Sequence, residues 1–386
     1  MRKVAIIVNS LGFGGNERSA VNIAKSIANY FNVIIITQED KGNPYSYEGE
    51  VICLNTPSSN SLIKKIFYNV IRLFKVKKIV KNQSIDLLFT ILPIYNVLNY
   101  VKYKCKKIVS CRDFNDLKKH THNYYIMAKK SDYIVCNSKY MSCFLVEKYK
   151  ELKNKTIYIY NSIDITTIES LCKEKLDIRY RNVFNNNKII VSAGRLSEVK
   201  GFNNLIKAFY LLCKKINNVK LVLIGSGENK LKIVELVNKL GIDNNFIIID
   251  AQTNLYKFFA RSDVFVLSSY SEGFPNVLLE AMACKLPVIS TNCASGPSEA
   301  LCAIGNESIN DAKYGILISN FTNDDYNWEP DYINKTHFDL CEELFQILSD
   351  NEKKEKLKSS AYTRAKDFEL SIIGEKWIEL FSGILN

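Results

Sequence analysis

The chain has 386 residues, a formal net charge of +12 and 47% hydrophobic residues. This length exceeds what one hydrophobic core ordinarily serves and predicts two domains. No run of about 18 uncharged apolar residues occurs, which argues against a transmembrane helix, and a glycine loop follows the short apolar run at the start, which argues against a signal peptide.

Eleven cysteines are scattered along the chain without any C-x-x-C pair. This pattern is typical of reduced, buried thiols in a cytosolic protein and does not favour a zinc site. His120 and His122 could both ligate a metal, but two histidines on a predicted loop are a weak signal. We therefore predict no metal site.

Strands and helices alternate through the first part of the chain. Runs rich in Val and Ile predict strands at residues 3–9, 32–37, 51–54, 86–91, 107–110, 133–137 and 156–160. Helical spacing of apolar residues predicts helices at 18–30, 62–81 and 139–148. Continuous apolar strands separated by helices indicate a parallel sheet that is covered on both faces.

A second alternating series begins after the charged, Asn-rich residues 165–187, which we interpret as a connection between domains. Its predicted strands are 188–193, 219–224, 246–249, 263–268 and 287–291, and three helices end the chain. The fold class is therefore α/β, with two Rossmann-like, doubly wound parallel-sheet domains and an interdomain cleft. The predicted division is an N-terminal domain over 1–168, a linker over 169–187, a second domain over 188–365, and a helix over 366–386 that packs back on the first domain.

A glycine loop follows the first predicted strand and precedes a helix. Gly12, Gly14 and Gly15 would let the backbone approach a phosphate or a sugar, although a simple tight turn is the alternative. The loop is not a G-x-G-x-x-G fingerprint, because Arg18 and Ser19 stand at the last expected positions. A dinucleotide site is therefore not favoured.

Two cations follow the first strand of the second domain. Arg195 comes directly after Gly194, and Lys200 lies five residues further on. An Arg fork and a Lys point charge at one strand end could together neutralise a diphosphate. The alternative is that both are ordinary solvated surface charges.

Two carboxylates, Glu272 and Glu280, flank a Gly-Phe-Pro turn that should begin a helix. Free N–H groups and the positive end of the helix dipole would point into the gap between them. Carboxylates accept hydrogen bonds from hydroxyls, and amides donate to phosphate, so this stretch suits a phosphorylated polyhydroxyl ligand. A solvated loop acid and a helix-face acid are the alternatives.

Residues 61–107 carry eleven Lys or Arg against one acid, Asp86. On the helix predicted within this range, one side of the helical wheel is apolar: Leu62, Ile63, Ile66, Phe67, Val70, Leu73 and Phe74. The opposite side is basic: Lys64, Lys65, Arg72, Lys75 and Lys78. We expect the apolar side to pack on the sheet, with the basic side either solvated or in contact with anionic lipid. Nucleic acid is not favoured as a partner, because the aromatic residues share the apolar side.

Over nearly its whole length the chain resembles retaining glycosyltransferases of the GT-B fold, family 4. The resemblance depends on five stretches: Gly14–Arg18, Ile159–Asp164, Ala193–Gly201, Gly225–Gly227 and the E-x7-E pair at 272 and 280. Residues 291–299 are similar to a variant seen in bacterial transferases that build O-antigens, capsules and glycan carriers, several of which use UDP-sugars.

The resemblance implies roles for individual residues of the second domain. Arg195 and Lys200 would bind the donor diphosphate and stabilise it as leaving group, and Glu272 would contact the hydroxyls of the transferred sugar. Glu280 would bind the ribose diol. The other donor-binding positions implied are Gly15, Gly194, Gly273, Phe274, Asn276 and Val277.

In the first domain the chain departs from the family pattern. Many relatives have a His near the end of the fourth or fifth strand, whereas this chain has Ser110-Cys-Arg-Asp-Phe-Asn115. Asp113 or Arg112 could substitute for that His. The sequence also has no D-x-D at a strand end, so no cofactor is predicted and transfer is expected to be metal-independent.

The implied activity is transfer of a hexose or N-acetylhexosamine from a nucleotide sugar to a lipid-linked or glycan acceptor. We expect the enzyme to work as a peripheral protein on the cytoplasmic, anionic face of the inner membrane. An epimerase of the same fold and a catalytically silent nucleotide-sugar-binding protein are the alternatives.

Overall fold

The described chain divides into two α/β units. The computed structural model describes residues 1–45, 47–59, 61–302, 312–322 and 325–386. The first unit comprises Met1–Ile163 together with Phe368–Asn386, and the second comprises Asp164–Asp367. These divisions lie a few residues from the predicted boundaries at 168 and 365.

The first unit is built on a seven-stranded parallel sheet. Its strands are β1 (Lys3–Val8), β2 (Asn32–Thr37), β3 (Glu50–Cys53), β4 (Leu87–Ile91), β5 (Lys106–Cys111), β6 (Tyr133–Cys136) and β7 (Thr156–Tyr158). Its helices are α1 (Gly15–Ile27), α2 (Leu62–Asn82), α3 (Phe114–Lys119), α4 (Thr121–Lys129), α5 (Lys139–Lys148) and the last helix of the chain, α15 (Leu370–Leu385). The strand order is β3-β2-β1-β4-β5-β6-β7. From β1 the chain first adds strands on one side of the sheet and then, from β4 onward, on the other side.

Helix α15 completes the hydrophobic core of the first unit. The ring of Trp377, which is 1% exposed, lies 5.0 Å from the ring of Phe89 on β4. Phe381 lies 5.9 Å from Phe31 in an edge-on arrangement. Aromatic side chains of this size contribute much of the burial on that face of the sheet.

The second unit is built on a six-stranded parallel sheet. Its strands are β8 (Lys188–Ala193), β9 (Val219–Ile224), β10 (Phe246–Ile249), β11 (Val264–Leu267), β12 (Val288–Thr291) and β13 (Ile316–Ile318). Its helices are α6 (Ile165–Cys172), α7 (Ile178–Asn186), α8 (Phe202–Cys213), α9 (Lys230–Lys239), α10 (Tyr256–Phe259), α11 (Asn276–Ala283), α12 (Gly296–Leu301), α13 (Lys335–Ser349) and α14 (Asn351–Lys366). The order β10-β9-β8-β11-β12-β13 reverses between β8 and β11. The predicted pair of Rossmann-like parallel sheets is confirmed.

Several segments differ from the sequence prediction. The segment 169–187, expected to be a linker, carries α7 and the end of α6 and belongs to the second unit. His120 and His122, expected on a loop, lie at the junction of α3 with α4 and inside α4. Of the predicted loop region 303–330, residues 303–311 and 323–324 lie outside the described residues.

The predicted packing of α2 was wrong. Six of its apolar residues, here called the apolar stripe, are 46–82% exposed: Leu62, Ile63, Ile66, Phe67, Val70 and Phe74. The buried residues of α2 are instead Arg72, Val76 and Val80. Helical periodicity shows which residues share a side, but it does not show which side meets the sheet.

Hydrogen bonds explain why Arg72 faces inward. Its guanidinium donates to Thr56 Oγ1 at 3.1 Å and to the Thr56 carbonyl at 2.5 Å, in the segment after β3. Lys75 Nζ donates to the Leu54 carbonyl at 2.6 Å. Arg72 is therefore unavailable to an external surface, whereas Lys64, Lys65 and Lys78 are exposed as predicted. None of the helices in the described ranges is long and apolar enough to cross a membrane.

Candidate donor site

Four loops meet at the carboxyl edge of the second sheet, where the strands end. The loops after β8 and β11 start side by side, because these strands are neighbours at the point of reversal. Open α/β sheets bind ligands at this place. The loop after β9 lies against the loop after β8, since Leu196 N donates to the Ser226 carbonyl at 3.0 Å. A Cβ at Gly225 would collide with the carbonyl of Gly194, so glycine permits this approach.

Lys200 and Glu272 form an ion pair within this edge. Lys200 Nζ lies 2.5 Å from Glu272 Oε1, and Ser269 Oγ donates to the same oxygen at 2.6 Å. The side chains of Lys200 and Glu272 are only 20% and 12% exposed. Partial burial strengthens the pair relative to a surface salt bridge. The structure thus brings together two predicted site residues that are 72 positions apart in the chain.

Backbone contacts hold Lys200 in position. Gly201 adopts a left-handed conformation with φ of 60°, and a Cβ there would collide with the carbonyl of Ser268. Ser268 Oγ donates to the Lys200 carbonyl at 2.8 Å, and Tyr270 N donates to the Val199 carbonyl at 2.8 Å. The loops after β8 and β11 are therefore joined by three independent close contacts.

Arg195 lies on the same loop as Lys200 but is exposed. Within the ranges that the structure describes, its guanidinium forms no ion pair. The site therefore presents one cation that a carboxylate neutralises and one that is open to an anionic ligand.

The turn that begins α11 is held by the loop after β12. The Gly273 carbonyl accepts from Gly296 N at 2.7 Å and from Ser295 Oγ at 2.8 Å, and Thr291 Oγ1 donates to the Ser269 carbonyl at 2.6 Å. Sequence reasoning missed Ser269, Thr291 and Ser295 as positioning residues. Their only signal in the sequence was that they are small polar residues at or just after the ends of two neighbouring strands.

The remaining predicted donor residues lie on this turn or on α11 itself. Phe274 is 3% exposed and Glu280 is 3% exposed, while Asn276 and Val277 are half-buried in the first helical turn. The first N–H groups of a helix lack acceptors within it and can serve a ligand. Glu280 lies one turn further into the helix, among buried residues.

The thiol of Cys293, which follows β12, interacts electrostatically with Glu272 and Lys200, and it is not a nucleophile. It is 1% exposed. Burial, with the negative charge of Glu272 adding to it, raises the pKa of Cys293 to about 12. Because only the thiolate attacks, a protonated Cys293 cannot form a covalent intermediate at neutral pH.

In the first unit, the glycine loop is held by Tyr45. Gly14 N donates to Tyr45 Oη at 2.8 Å, and the Arg18 guanidinium lies 4.5 Å from the Tyr45 ring centroid. Gly15 is exposed and is the first residue of α1. The predicted loop conformation therefore leaves the helix N-terminus accessible.

Asp113 caps α3 at the carboxyl edge of the first sheet. Its Oδ1 accepts from Asp116 N at 2.9 Å, and the residue is exposed. Sequence reasoning missed a second cluster there. Tyr95, in the loop after β4, has its Oη 2.5 Å from His120 Nε2, and His120 lies 3.9 Å from Asp116. This chain thus has a His beside Asp116, at the end of α3 opposite to the Asp113 cap, supplied from a helix end rather than from a strand end.

Comparisons with known proteins agree with this fold. Residues 13–167 match the description Glycosyltransferase Family 4, and residues 174–326 match Glycosyl transferases group 1. An uncharacterized glycosyltransferase of Methanocaldococcus jannaschii is 32% identical, over 87% of this chain and 88% of that protein.

Two further proteins extend the comparison. A Campylobacter jejuni protein is 28% identical over 96% of both chains, and it is named as an N-acetylgalactosamine-N,N'-diacetylbacillosaminyl-diphospho-undecaprenol 4-alpha-N-acetylgalactosaminyltransferase. The crystal structure of Anabaena HepE in complex with UDP-glucose superposes with a TM-score of 0.75 at 17% identity, over 99% of this chain and 100% of that one.

The two parallel sheets and these matches define an enzyme of the glycosyltransferase class with the GT-B fold. Within that class, the chain belongs to glycosyltransferase family 4.

Proposed function

We propose that the enzyme transfers a hexose or N-acetylhexosamine from a UDP-sugar to a lipid-linked or glycan acceptor, with retention of configuration, in bacterial surface-polysaccharide synthesis. The observation that carries the proposal is the Lys200–Glu272 pair beside the open cation Arg195. A paired carboxylate and two cations match a ligand with sugar hydroxyls at one end and a diphosphate at the other. The name of the Campylobacter relative and the UDP-glucose complex of HepE support the donor and acceptor classes.

Arg195 and Lys200 act on the leaving group. Negative charge develops on the departing diphosphate while the sugar becomes oxocarbenium-like, and preorganised cations stabilise that charge best where water is partly excluded. Lys200 is half-buried and already oriented by Glu272, so little reorganisation is needed on donor binding. These two cations can supply the charge that a metal would otherwise supply, so we propose that transfer is metal-independent.

Glu272 orients the transferred sugar, and the start of α11 orients the diphosphate. Gly194 and Gly273 allow close approach, while Phe274 and the amides of Asn276 and Val277 line the donor. Glu280 accepts from the ribose diol. The buried position of Glu280 on α11 supports a role in one defined hydrogen bond rather than in solvated charge.

Retention proceeds by attack on the face from which the diphosphate leaves, with the donor phosphate helping to deprotonate the acceptor. The protonated state of Cys293 supports this route over a covalent cysteine intermediate. Asp113 assists catalysis from the first unit, and Gly15 lets the first glycine loop approach the donor. At the other end of α3, the Tyr95–His120 contact beside Asp116 suits a shared proton network.

The enzyme works at the anionic, cytoplasmic surface of the inner membrane. The apolar stripe of α2, rather than its basic side alone, supports this proposal. Lys64, Lys65 and Lys78 are exposed around the stripe, whereas the ammonium of Lys75 is bound to the Leu54 carbonyl. An exposed apolar face bordered by lysines suits an anionic lipid surface. Nucleic acid is not proposed as a partner.

Two measurements test the proposal. Thermal shifts with UDP-, GDP- and ADP-sugars should show the largest stabilisation by a UDP-sugar, because a ligand of the native state raises the midpoint. A transfer assay with polyprenyl-diphosphate saccharide should then give product, and Arg195→Ala should reduce it at least a hundredfold with an unchanged fold. Product formed without acceptor would indicate an epimerase instead, and donor binding without turnover would indicate a silent binding protein.

A further inference from the structure

A cavity of about 680 Å³ lies at the amino edge of the first sheet, where its strands begin. We call it the basic cavity, because its wall is rich in cations. These cations come from the segments that lead into β5, β6 and β7 and from Arg2 before β1. We propose that the basic cavity binds an anion with two or more phosphate groups, free or on a lipid headgroup. Neither the donor site nor α2 requires this cavity, so the inference goes beyond the proposed function.

The charge of the cavity is strongly one-sided. Six of its cations lie in two segments: Lys102, Lys104, Lys106, Lys107, Lys129 and Lys130. Arg2 and Lys155 add two more, against the carboxylate side chains of Asp86 and Asp132. A concave surface of one charge sign concentrates ligands of the opposite sign.

Both carboxylates accept hydrogen bonds from backbone N–H groups at the starts of strands. Asp86 Oδ2 accepts from Lys3 N at 2.8 Å, and Asp132 Oδ2 accepts from Lys107 N at 2.8 Å. Their other oxygens contact Arg2 and Lys106, at 3.0 and 3.4 Å. These two carboxylates, even with a third at Asn386, which also lines the cavity, cannot balance eight cations, so the cavity keeps a net positive charge.

Lys107 differs from the other lysines of the cavity because it is buried and hydrogen-bonded. It is 2% exposed, and its Nζ donates to the carbonyls of Asn99 at 2.7 Å and Val101 at 2.8 Å. Burial, with repulsion from Lys130 adding to it, lowers the pKa of Lys107 to about 8. An anion in the cavity would oppose both effects, so its binding should be coupled to proton uptake near that pH.

The walls select the chemistry of the ligand. The volume is that of a small-molecule site, but such sites usually have apolar walls. Lysine ammonium groups act as point charges for phosphate rather than as flat platforms. Tyr103 is the aromatic residue in the lining, whereas single-stranded nucleic acid needs several stacking surfaces. Compact phosphates therefore fit better than a polynucleotide.

The test is calorimetric titration of inorganic tripolyphosphate into the full chain carrying Arg195→Ala, which removes a donor-site contact for phosphate. In that background, Lys104→Ala with Lys130→Ala should weaken binding at least tenfold. The matched control is Lys150→Ala with Lys153→Ala, because these exposed residues of the first unit lie outside the cavity lining. Titration in two buffers of different ionisation enthalpy should show proton uptake at about pH 8.

Vesicles that contain cardiolipin, a lipid with two phosphate groups, separate the two sources of phosphate when every variant also carries Ile63→Ser, Phe67→Ser and Phe74→Ser, which remove the α2 stripe from vesicle binding. Vesicle binding lost in the cavity variant supports a headgroup, and vesicle binding retained while tripolyphosphate binding is lost supports a free anion. Equal loss in the control pair, absence of tripolyphosphate binding, or absence of proton uptake would overturn the proposal. Tighter binding of single-stranded RNA through the same lysines would also overturn it, in favour of nucleic acid.

Discussion

The exposed apolar stripe of α2 gives a sharp prediction about membrane binding. Ile63, Phe67 and Phe74 are 82%, 59% and 72% exposed, and none of them contributes to the core of the first unit. Changing all three to Ser should therefore leave the fold intact. If the stripe inserts into lipid, the same changes should release the protein from vesicles.

The size of the effect follows from the exposed area. Full burial of an Ile or Phe side chain is worth about 1.5–3 kcal/mol, so insertion of the exposed fraction contributes roughly 1–2 kcal/mol for each residue. The three changes together should cost about 3–6 kcal/mol. Since about 1.4 kcal/mol is a factor of ten, the partition coefficient should fall at least a hundredfold. Added salt should weaken the contribution of the lysines but not that of the stripe.

Cosedimentation with phosphatidylglycerol vesicles at low and high salt measures this partition. The matched control is Ile178→Ser with Leu231→Ser, because these residues of the second unit are 77% and 84% exposed. Circular dichroism should confirm that all variants are folded. Wild-type binding by the triple variant, or an equal loss in the control, would refute insertion of α2.

Three further predictions concern the second unit. In urea unfolding, Gly201→Ala should lower the free energy of unfolding by about 2 kcal/mol more than Gly241→Ala does. Both glycines have positive φ, so each change costs about 1 kcal/mol of backbone strain, but only at Gly201 would the new Cβ meet a carbonyl oxygen. Equal losses in the two variants would contradict the close approach at Gly201. In calorimetry, Lys200→Met should weaken UDP binding about tenfold. Glu272→Gln should weaken UDP binding less, because it removes the charge that orients Lys200 but leaves the lysine in place, and unchanged UDP binding in Glu272→Gln would exclude this orienting role. Burial lowers the pKa of His337 to about 4, so as the pH falls the unfolded chain takes up a proton before the folded chain does, and the free energy of unfolding should fall by about 2 kcal/mol between pH 7 and 5. In urea unfolding, a His337→Gln variant should lose less stability over this pH range. An equal loss in that variant would contradict the assignment to His337.

Much of the fold could be predicted because parallel strands are buried on both faces. Such strands appear as continuous apolar runs, and the predicted bounds of β8 and β9 agree with the structure. The family 4 assignment was likewise within reach of the sequence, because its motifs stand at strand ends. The short helices could not be predicted from the sequence. Helices α3 and α4 lack a strong apolar period, so the chain around them was predicted to be loop.

The candidate site could be predicted in its charged residues but not in their contacts. Arg195, Lys200 and Glu272 stand out by type and by resemblance to the family. That Ser269 shares an oxygen of Glu272 with Lys200 could not be inferred, because a serine after a strand is too common to carry a signal. Such contacts depend on which strands are neighbours, and a single sequence does not state the strand order.

The basic stretch 61–107 shows why charge in sequence and charge in space differ. As a run of residues it predicts one cationic patch, with Arg72 among its members. In the fold, Arg72 turns inward to Thr56, the lysines of α2 border the apolar stripe, and Lys102–Lys107 lead into β5 at the amino edge of the sheet. The stretch therefore supplies two surfaces with different chemistry. One combines cations with exposed apolar area, as a membrane surface requires, and the other combines cations with a cavity, as a compact anion requires.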